Sequence, residues 1–337
     1  MPDCIKSKKM KLFQILLLLM LVFLTAVSYW TQNFDTQQAI PSMLPPYPQN
    51  NLLVFESTLC SSPNIPITPP PNKQVHCPTK PIVTVKQLGR LGNQIWEYIS
   101  VWAVAKNTGR EPYIPSCLIR NLEKIFPHLP VPPLSYLAYC PVQEYPVVVT
   151  EKDLDHSKGN IILWNYIQLP TYIAHLLTEI RQIFRFNDHI IDESQKLLLS
   201  ASKGEKNITY VGVHVRRTDY IGYLKRKFNV SPVKPDYFLR QMNVFRNKYK
   251  PIMFVVVSDD PRWCERELSG DDVVVMKTKS ATLDLAIMAA CNHSIIDYGT
   301  YGVWGAILSG GDTFVYNLTN SATFVLASLI PNWYIVT

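Results

Sequence analysis

Thr209-Tyr210-Val211-Gly212-Val213-His214-Val215-Arg216-Arg217-Thr218-Asp219 decides how this chain is read. Its valines alternate, and a period of two places them on one face of a strand, with Gly212, His214 and Arg216 on the other. A strand this apolar is one to be buried on both sides, the habit of parallel sheets. Two adjacent arginines then emerge where the strand runs out.

Outward from this stretch, short β-branched runs alternate with longer amphipathic ones, which predicts an α/β fold built on parallel sheets. Toward the N-terminus, strands are expected at 82–85 and 161–164, and helices at 93–107, 171–184 and 188–199. Toward the C-terminus, strands are expected at 252–257, 273–276, 294–297 and 313–316, the last of the series. Helices are expected at 236–248, 261–267, 281–290 and 301–308. The pattern divides near residue 205 into an N-terminal half, 81–205, and a C-terminal half, 206–337, facing each other across a cleft. Ligands of such sheets bind beyond the carboxyl ends of the strands, so the chemistry is sought there.

Three such ends stand out. Arg216-Arg217 offers guanidinium groups, which bind phosphate oxygens bidentately and stay charged. They suit a diphosphate whose negative charge grows as a bond to it breaks. The plain alternative is a solvated charge cluster. Gly89-Arg90-Leu91-Gly92-Asn93-Gln94 lies between a strand and a helix; its glycines permit close backbone approach, and Asn93 is a candidate cap. It is neither the dinucleotide fingerprint nor a Walker loop, and alone it reads as an ordinary connection. Asp297-Tyr298-Gly299-Thr300-Tyr301-Gly302 again joins strand to helix, either cradling a phosphate at the helix N-terminus or simply capping it.

Together, Gly-Arg-Leu-Gly-Asn-Gln, His-Val-Arg-Arg-Thr-Asp and Gly-Thr-Tyr-Gly-x-Trp resemble the α1,2-fucosyltransferase family. The resemblance runs from about Thr84 to Gly311 and takes in Leu88 to Tyr98, Ser258-Asp259-Asp260, Trp263-Cys264 and Asp284 to Ser294. It departs from the family habit at Val303, often aromatic there, and at Gly299, often serine. It implies a GT-B-like fold of two Rossmann-like halves, GDP-fucose as donor, a glycan acceptor, inversion at the anomeric carbon and no required metal or other cofactor. Carried over, Arg216 and Arg217 hold the diphosphate, with Arg217 helping GDP leave. His214 and Asp284 face the guanine or ribose, and Thr300 reaches the β-phosphate beside Gly299 and Tyr301. Arg90, Gly92, Asn93, Gln94 and Glu97 belong to the acceptor side, Asn93 close to the transferred sugar. A loose, oxocarbenium-like displacement is expected, with Asp219 or Glu97 as general base.

The rest of the chain sets the context. It has 337 residues, 47% hydrophobic and 18% charged, enough for a sizeable core. Its net charge is +7, but without the lysine-rich first eleven residues about +4 remains, too little for a nucleic-acid binder. Leu12 to Trp30 is uncharged over 19 residues, about 28 Å as a helix, and the lysines precede it. That predicts a single-pass, type II signal anchor with a cytosolic tail at 1–11 and the remainder in the Golgi lumen; a cleaved signal peptide is the competing reading. Residues 31–80 hold ten prolines and no apolar period, and are read as a stem without helix. Membrane, GDP-fucose and glycan are thus the expected partners, with a homo-oligomer also admissible.

Six cysteines follow the anchor (Cys60, Cys77, Cys117, Cys140, Cys264, Cys291), allowing up to three disulfides in fifteen pairings. Asn207 and Asn317 head glycosylation sequons expected to be used. Asn229 is disfavoured by the nearby Pro232, and Asn292 by expected burial. Two rivals remain. Asp153-Leu154-Asp155 matches the Asp-x-Asp of metal-dependent GT-A glycosyltransferases, although Lys152, His156 and Lys158 make it look like a solvated loop. The other is a non-catalytic glycan-binding protein on a transferase fold.

Overall fold

The structure is a computed structural model that describes residues 52–61, 77–140 and 147–337. The expected anchor and most of the stem lie outside the described residues, among which no helix is long and apolar enough to cross a membrane.

Two sheets, parallel throughout, organise residues 51–337, which form one compact unit. The first contains β1 (Ile82–Val85), β2 (Glu111–Pro112), β3 (Val147–Val149) and β4 (Ile161–Leu163), in the order β2-β1-β4-β3. The second contains β5 (Thr209–Val215), β6 (Ile252–Ser258), β7 (Val273–Val275), β8 (His293–Ile296), β9 (Thr313–Tyr316) and β10 (Trp333–Val336), ordered β10-β9-β8-β5-β6-β7. From β5 the chain steps outward through β6 and β7, then returns to β5's other side as β8. The strand order therefore reverses between β5 and β8, and in the first sheet between β1 and β4. At such switch points successive connections diverge and leave a crevice above the carboxyl ends. The arginines leave β5 at one of them, and the glycine turn leaves β1 at the other.

The helices are, in chain order, α1 (Leu52–Thr58), α2 (Leu91–Thr108), α3 (Ser116–Leu122), α4 (Pro170–Ile173), α5 (Leu177–Ile183), α6 (Asp188–Ala201), α7 (Thr218–Phe228), α8 (Pro235–Lys248), α9 (Pro261–Glu267), α10 (Ala281–Ala289), α11 (Thr300–Ser309) and α12 (Ala322–Leu329). Several depart from expectation. The helix expected over 171–184 turns at Ala174–Leu176, which lets both Ile173 and Leu176 reach the core. Helix α7 is an element the sequence reading does not expect; it is amphipathic, yet only Leu224 is fully buried along it. The strand at 313–316 is not the last, since β10 pairs with it in register from Trp333↔Thr313 to Val336↔Tyr316.

The stem reading fails at 52–58. Phe55 and Leu59 are buried, so α1 has an apolar anchor, and Cys60–Cys117 ties it to α3. Cys77–Cys140 is the second disulfide; closing loops of this length contributes about 4 kcal/mol each through unfolded-state entropy. No third bridge forms between Cys264 and Cys291, both buried and free. Cys264 packs with Val211, Val213 and Val215, whereas Cys291 lies under Gly212, on the opposite face of β5. Asn207 is exposed and Asn317 half-buried; Asn292, expected to be buried, is exposed, although its side-chain carbonyl accepts the Tyr210 N–H.

One hydrophobic cluster spans both sheets. Trp304 of α11 meets Trp96 of α2 at 5.1 Å and Phe184 at 5.6 Å, edge to face. The two halves thus share a core through α11.

Candidate functional site

Asp297 organises the crevice from below. It follows β8 and is 1% exposed. One carboxylate oxygen meets His214 Nδ1 at 3.2 Å and accepts the Tyr298 N–H; the other accepts the Arg216 N–H at 2.6 Å. Burial pushes its pKa up, while His214 and the two amides pull the other way. By gripping the Arg216 amide, Asp297 fixes how the chain leaves β5.

Asp259, at the end of β6, fixes the next step. It accepts the Arg217 N–H at 2.8 Å and bonds the Arg216 guanidinium and the Thr218 hydroxyl. Arg216 also pairs with Asp219, so both its terminal nitrogens are occupied. Arg217 differs. Its guanidinium lies over the Trp263 ring, 4.1 Å from the centroid. Asp260 approaches only Nε, at 3.4 Å and without hydrogen-bond geometry. The two terminal nitrogens of Arg217 have no protein partner among the described residues. The sequence treats the arginines alike, whereas the structure makes Arg216 the tied one and Arg217 the free fork.

The glycine turn docks against this assembly. Trp304 Nε1 donates to the Gly92 carbonyl at 2.9 Å, and Thr300 Oγ1 donates to Asn93 Oδ1 at 2.9 Å. A Cβ on Gly92 would stand 2.8 Å from Thr300 Oγ1 and 2.9 Å from the Tyr301 nitrogen, so only glycine lets the halves approach this closely. Arg90, largely exposed, reaches Asp219 at 3.8 Å, so that carboxylate stands between arginines of both halves. The expected residues of both halves therefore converge on one place.

Individual roles need revision. Asn93 does not cap α2; the helix begins at Leu91, and Arg90 stands at its N-cap. Gln94 braces the turn, donating to the Gly89 carbonyl and accepting from Asn121. His214 is buried between Asp297 and the Tyr301 ring, and a Cβ on Gly302 would stand 2.6 Å from it. It supports the crevice without opening onto it. Asp284 is half-buried and accepts from Thr278 at 2.7 Å; burial raises its pKa, and nearby His214 opposes this. Tyr301 bonds the Ala281 carbonyl, tying α11 to α10. Gly299 has φ 85°, a conformation that strains other residues, and Val303 is buried in the shared core.

Glu97 is not a base. It is 0% exposed; one oxygen accepts the Leu88 N–H at 2.9 Å and the other has no partner. Burial lifts its pKa from about 4.5 to about 9, so the carboxyl is protonated at neutral pH. A carboxyl with a raised folded pKa contributes most below its unfolded pKa, and that contribution is lost as pH rises toward the folded one. Glu97→Gln keeps the acceptor for Leu88 and abolishes this titration. Its expected effect is a stability gain over wild type that grows from pH 5 to pH 9, reaching more than about 1 kcal/mol at pH 8. Urea unfolding across that range measures it, and parallel pH profiles would refute the assignment.

Asp153 belongs to a capping box. Its carboxylate accepts from the Thr150 N–H at 3.0 Å and the Thr150 hydroxyl at 2.6 Å, opening the short 3-10 helix Glu151–His156. Asp155 accepts from the Tyr172 hydroxyl. Each carboxylate thus has a structural partner, Asp153 as the N3 member of the Thr150-x-x-Asp153 capping box and Asp155 through Tyr172.

The sequence left Asp297, Asp259 and Trp263 without roles. Asp259 and Trp263 stood inside the compared motifs and Asp297 opened the third, but nothing local showed them gripping residues tens of positions away.

Residues 51–336 match glycosyl transferase family 11. Galactoside 2-alpha-L-fucosyltransferase Sec1 of Mus musculus is 32% identical over 289 residues, covering 81% of this chain and 77% of that protein. Galactoside alpha-(1,2)-fucosyltransferase 2 of Pongo pygmaeus is 34% identical over 272 residues, covering 75% and 78%. Among solved structures, POFUT1 in complex with GDP aligns at a TM-score of 0.49 and 13% identity, over 71% of this chain and 99% of that one.

Proposed function

The chain belongs to glycosyl transferase family 11, and from that premise we propose that it transfers fucose from GDP-fucose to a hydroxyl of a galactoside, inverting the anomeric carbon and needing no metal. The relatives' names support the reaction, and the facing switch points support a GT-B-like arrangement with the donor on the C-terminal half. The observation that carries the reading is the Arg217 fork, held over Trp263 with its terminal nitrogens free at the end of β5.

In this reading Arg217 binds the diphosphate. As the anomeric C–O bond lengthens, charge builds on the leaving β-phosphate, and a guanidinium already in position stabilises it without reorganising. Arg216, locked by Asp259 and Asp219, holds the backbone from which Arg217 projects. The acceptor hydroxyl attacks the opposite face of the sugar, and its proton passes to Asp219, the accessible carboxylate at this rim. The uncharged run at 12–30 supports a Golgi, single-pass setting with this unit in the lumen.

The test uses the full chain. Titration calorimetry is expected to show GDP binding, and fucose is expected to pass from GDP-fucose to a galactoside equally well with and without EDTA, with UDP-sugars inactive. Absence of GDP binding, or transfer abolished by EDTA, would overturn it.

A further inference from the structure

Next to the arginine crevice lies a cavity of about 300 Å³, at the small end of ligand pockets. Its wall from the N-terminal half includes Trp164 and Tyr166, just past β4, and Glu151, just past β3. From the C-terminal half come Tyr220 and Tyr223 of α7, and Thr300. It therefore opens above the β1/β4 switch point and touches the very loop that meets the glycine turn.

The walls are built rather than incidental. Tyr220 stacks on Tyr298 at 5.0 Å with only 9° between the rings, and the Arg216 guanidinium lies 5.9 Å from its centroid. Tyr223 packs against Tyr220 at 4.8 Å. The Trp164 ring has Lys86 Nζ 5.7 Å from its centroid, and Lys86 itself is held by the carbonyl of Thr58, at the end of α1. Asn165 and Tyr166 both adopt left-handed backbone, φ 64° and 54°. For a tyrosine this is strained, and strain of this kind persists where surrounding structure imposes it, commonly at binding sites. Tyr166 and Tyr223 are nonetheless exposed.

We propose that this cavity is the acceptor subsite, and that it holds the terminal hexopyranose of the glycan against the aromatic rings of Trp164, Tyr166, Tyr220 and Tyr223. The proposal rests on the fucosyl-transfer reading for its direction. A hexopyranose presents an apolar C–H face and a rim of hydroxyls, and this lining pairs aromatic faces with a few polar groups. Glu151 is the acidic side chain of the lining, and its carboxylate is an acceptor for sugar hydroxyls. Since Tyr220 also lies against Arg216, the cavity adjoins the loop that carries both arginines.

The experiment compares wild type, Trp164→Ala and Tyr223→Ala as full chains, with lactose as the probe. The KM for lactose is expected to rise at least tenfold in both variants, while the Kd for GDP, which also reports folding, moves less than twofold. An unchanged lactose KM with GDP binding intact would overturn the assignment. So would a rise confined to the KM for GDP-fucose, which would give the cavity to the donor's sugar. Saturation-transfer NMR of lactose without nucleotide separates this proposal from the transfer reading. Lactose signal lost in both variants supports the cavity even if wild type binds no GDP, a result that would sink only the transfer reading; signal retained in folded variants rejects the cavity.

Discussion

Arg217→Ala is expected to lower turnover at least ~100-fold, the usual cost of removing one preorganised contact to charge that develops in the transition state. The loss is expected to be kinetic rather than structural. The Arg217 backbone is held independently, through its N–H to Asp259. Its guanidinium makes one long approach to Asp260 and one ring contact with Trp263, so removing it forfeits about 1 kcal/mol of stability. Arg217→Lys keeps the charge but not the planar fork, and is expected to fall between wild type and alanine. Arg216→Ala is the contrasting variant. It strands Asp259, which then has only the Arg217 amide and the Thr218 hydroxyl, and it releases Asp219, so activity and melting temperature are expected to fall together. Initial rates of GDP release at saturating donor, alongside thermal melts, distinguish these patterns. A folded Arg217→Ala protein within tenfold of wild type would remove Arg217 from the reaction.

Trp304→Ala carries the largest expected loss of stability, about 3–5 kcal/mol for a fully buried tryptophan. That is a large part of the stability of an ordinary domain. The cavity would open between Trp96 and Phe184, and the Gly92 carbonyl would lose the indole N–H that joins the halves. Trp304→Phe separates the two contributions: it retains much of the packing and removes the indole N–H from a carbonyl that keeps its place in the α2 helical ladder, for about 1 kcal/mol. Urea midpoints for the three proteins should rank wild type, phenylalanine, alanine. Activity should fall with them, because Gly92 and Thr300 hold the glycine turn against α11. An alanine variant as stable as wild type would show that the halves are not joined through this helix.

Much of the α/β alternation was open to sequence reading, because buried parallel strands such as Ile161–Leu163 and Val255–Val257 are apolar on both faces. Elements that failed to announce themselves lack that signature. Helix α7 buries a single leucine, and α1 is short and sits among prolines, its anchor supplied by a disulfide partner 57 residues away. The three loops of the candidate site were legible as glycines, arginines and strand ends. The roles of their side chains were less so. Glu97 looked like a base because a carboxylate near a glycine turn is chemically suggestive, but burial, which no local pattern encodes, leaves it protonated. Asp153 and Asp155 match a metal-binding pattern in sequence, but Asp153 serves a capping box with Thr150 and Asp155 accepts from Tyr172, partners that the pattern does not show.

Residue pattern alone therefore determined the α/β class of fold and pointed to the strand ends as the place to look, since periodicity and turn chemistry are local properties of a chain; the family came from the resemblance of three motifs. Only the tertiary structure decided which arginine has an open fork, which carboxyls are protonated, and that Gly92 and Thr300 touch across 208 positions of sequence. Charge pairing and desolvation depend on what surrounds a group in space, and those neighbours arrive from distant parts of the chain.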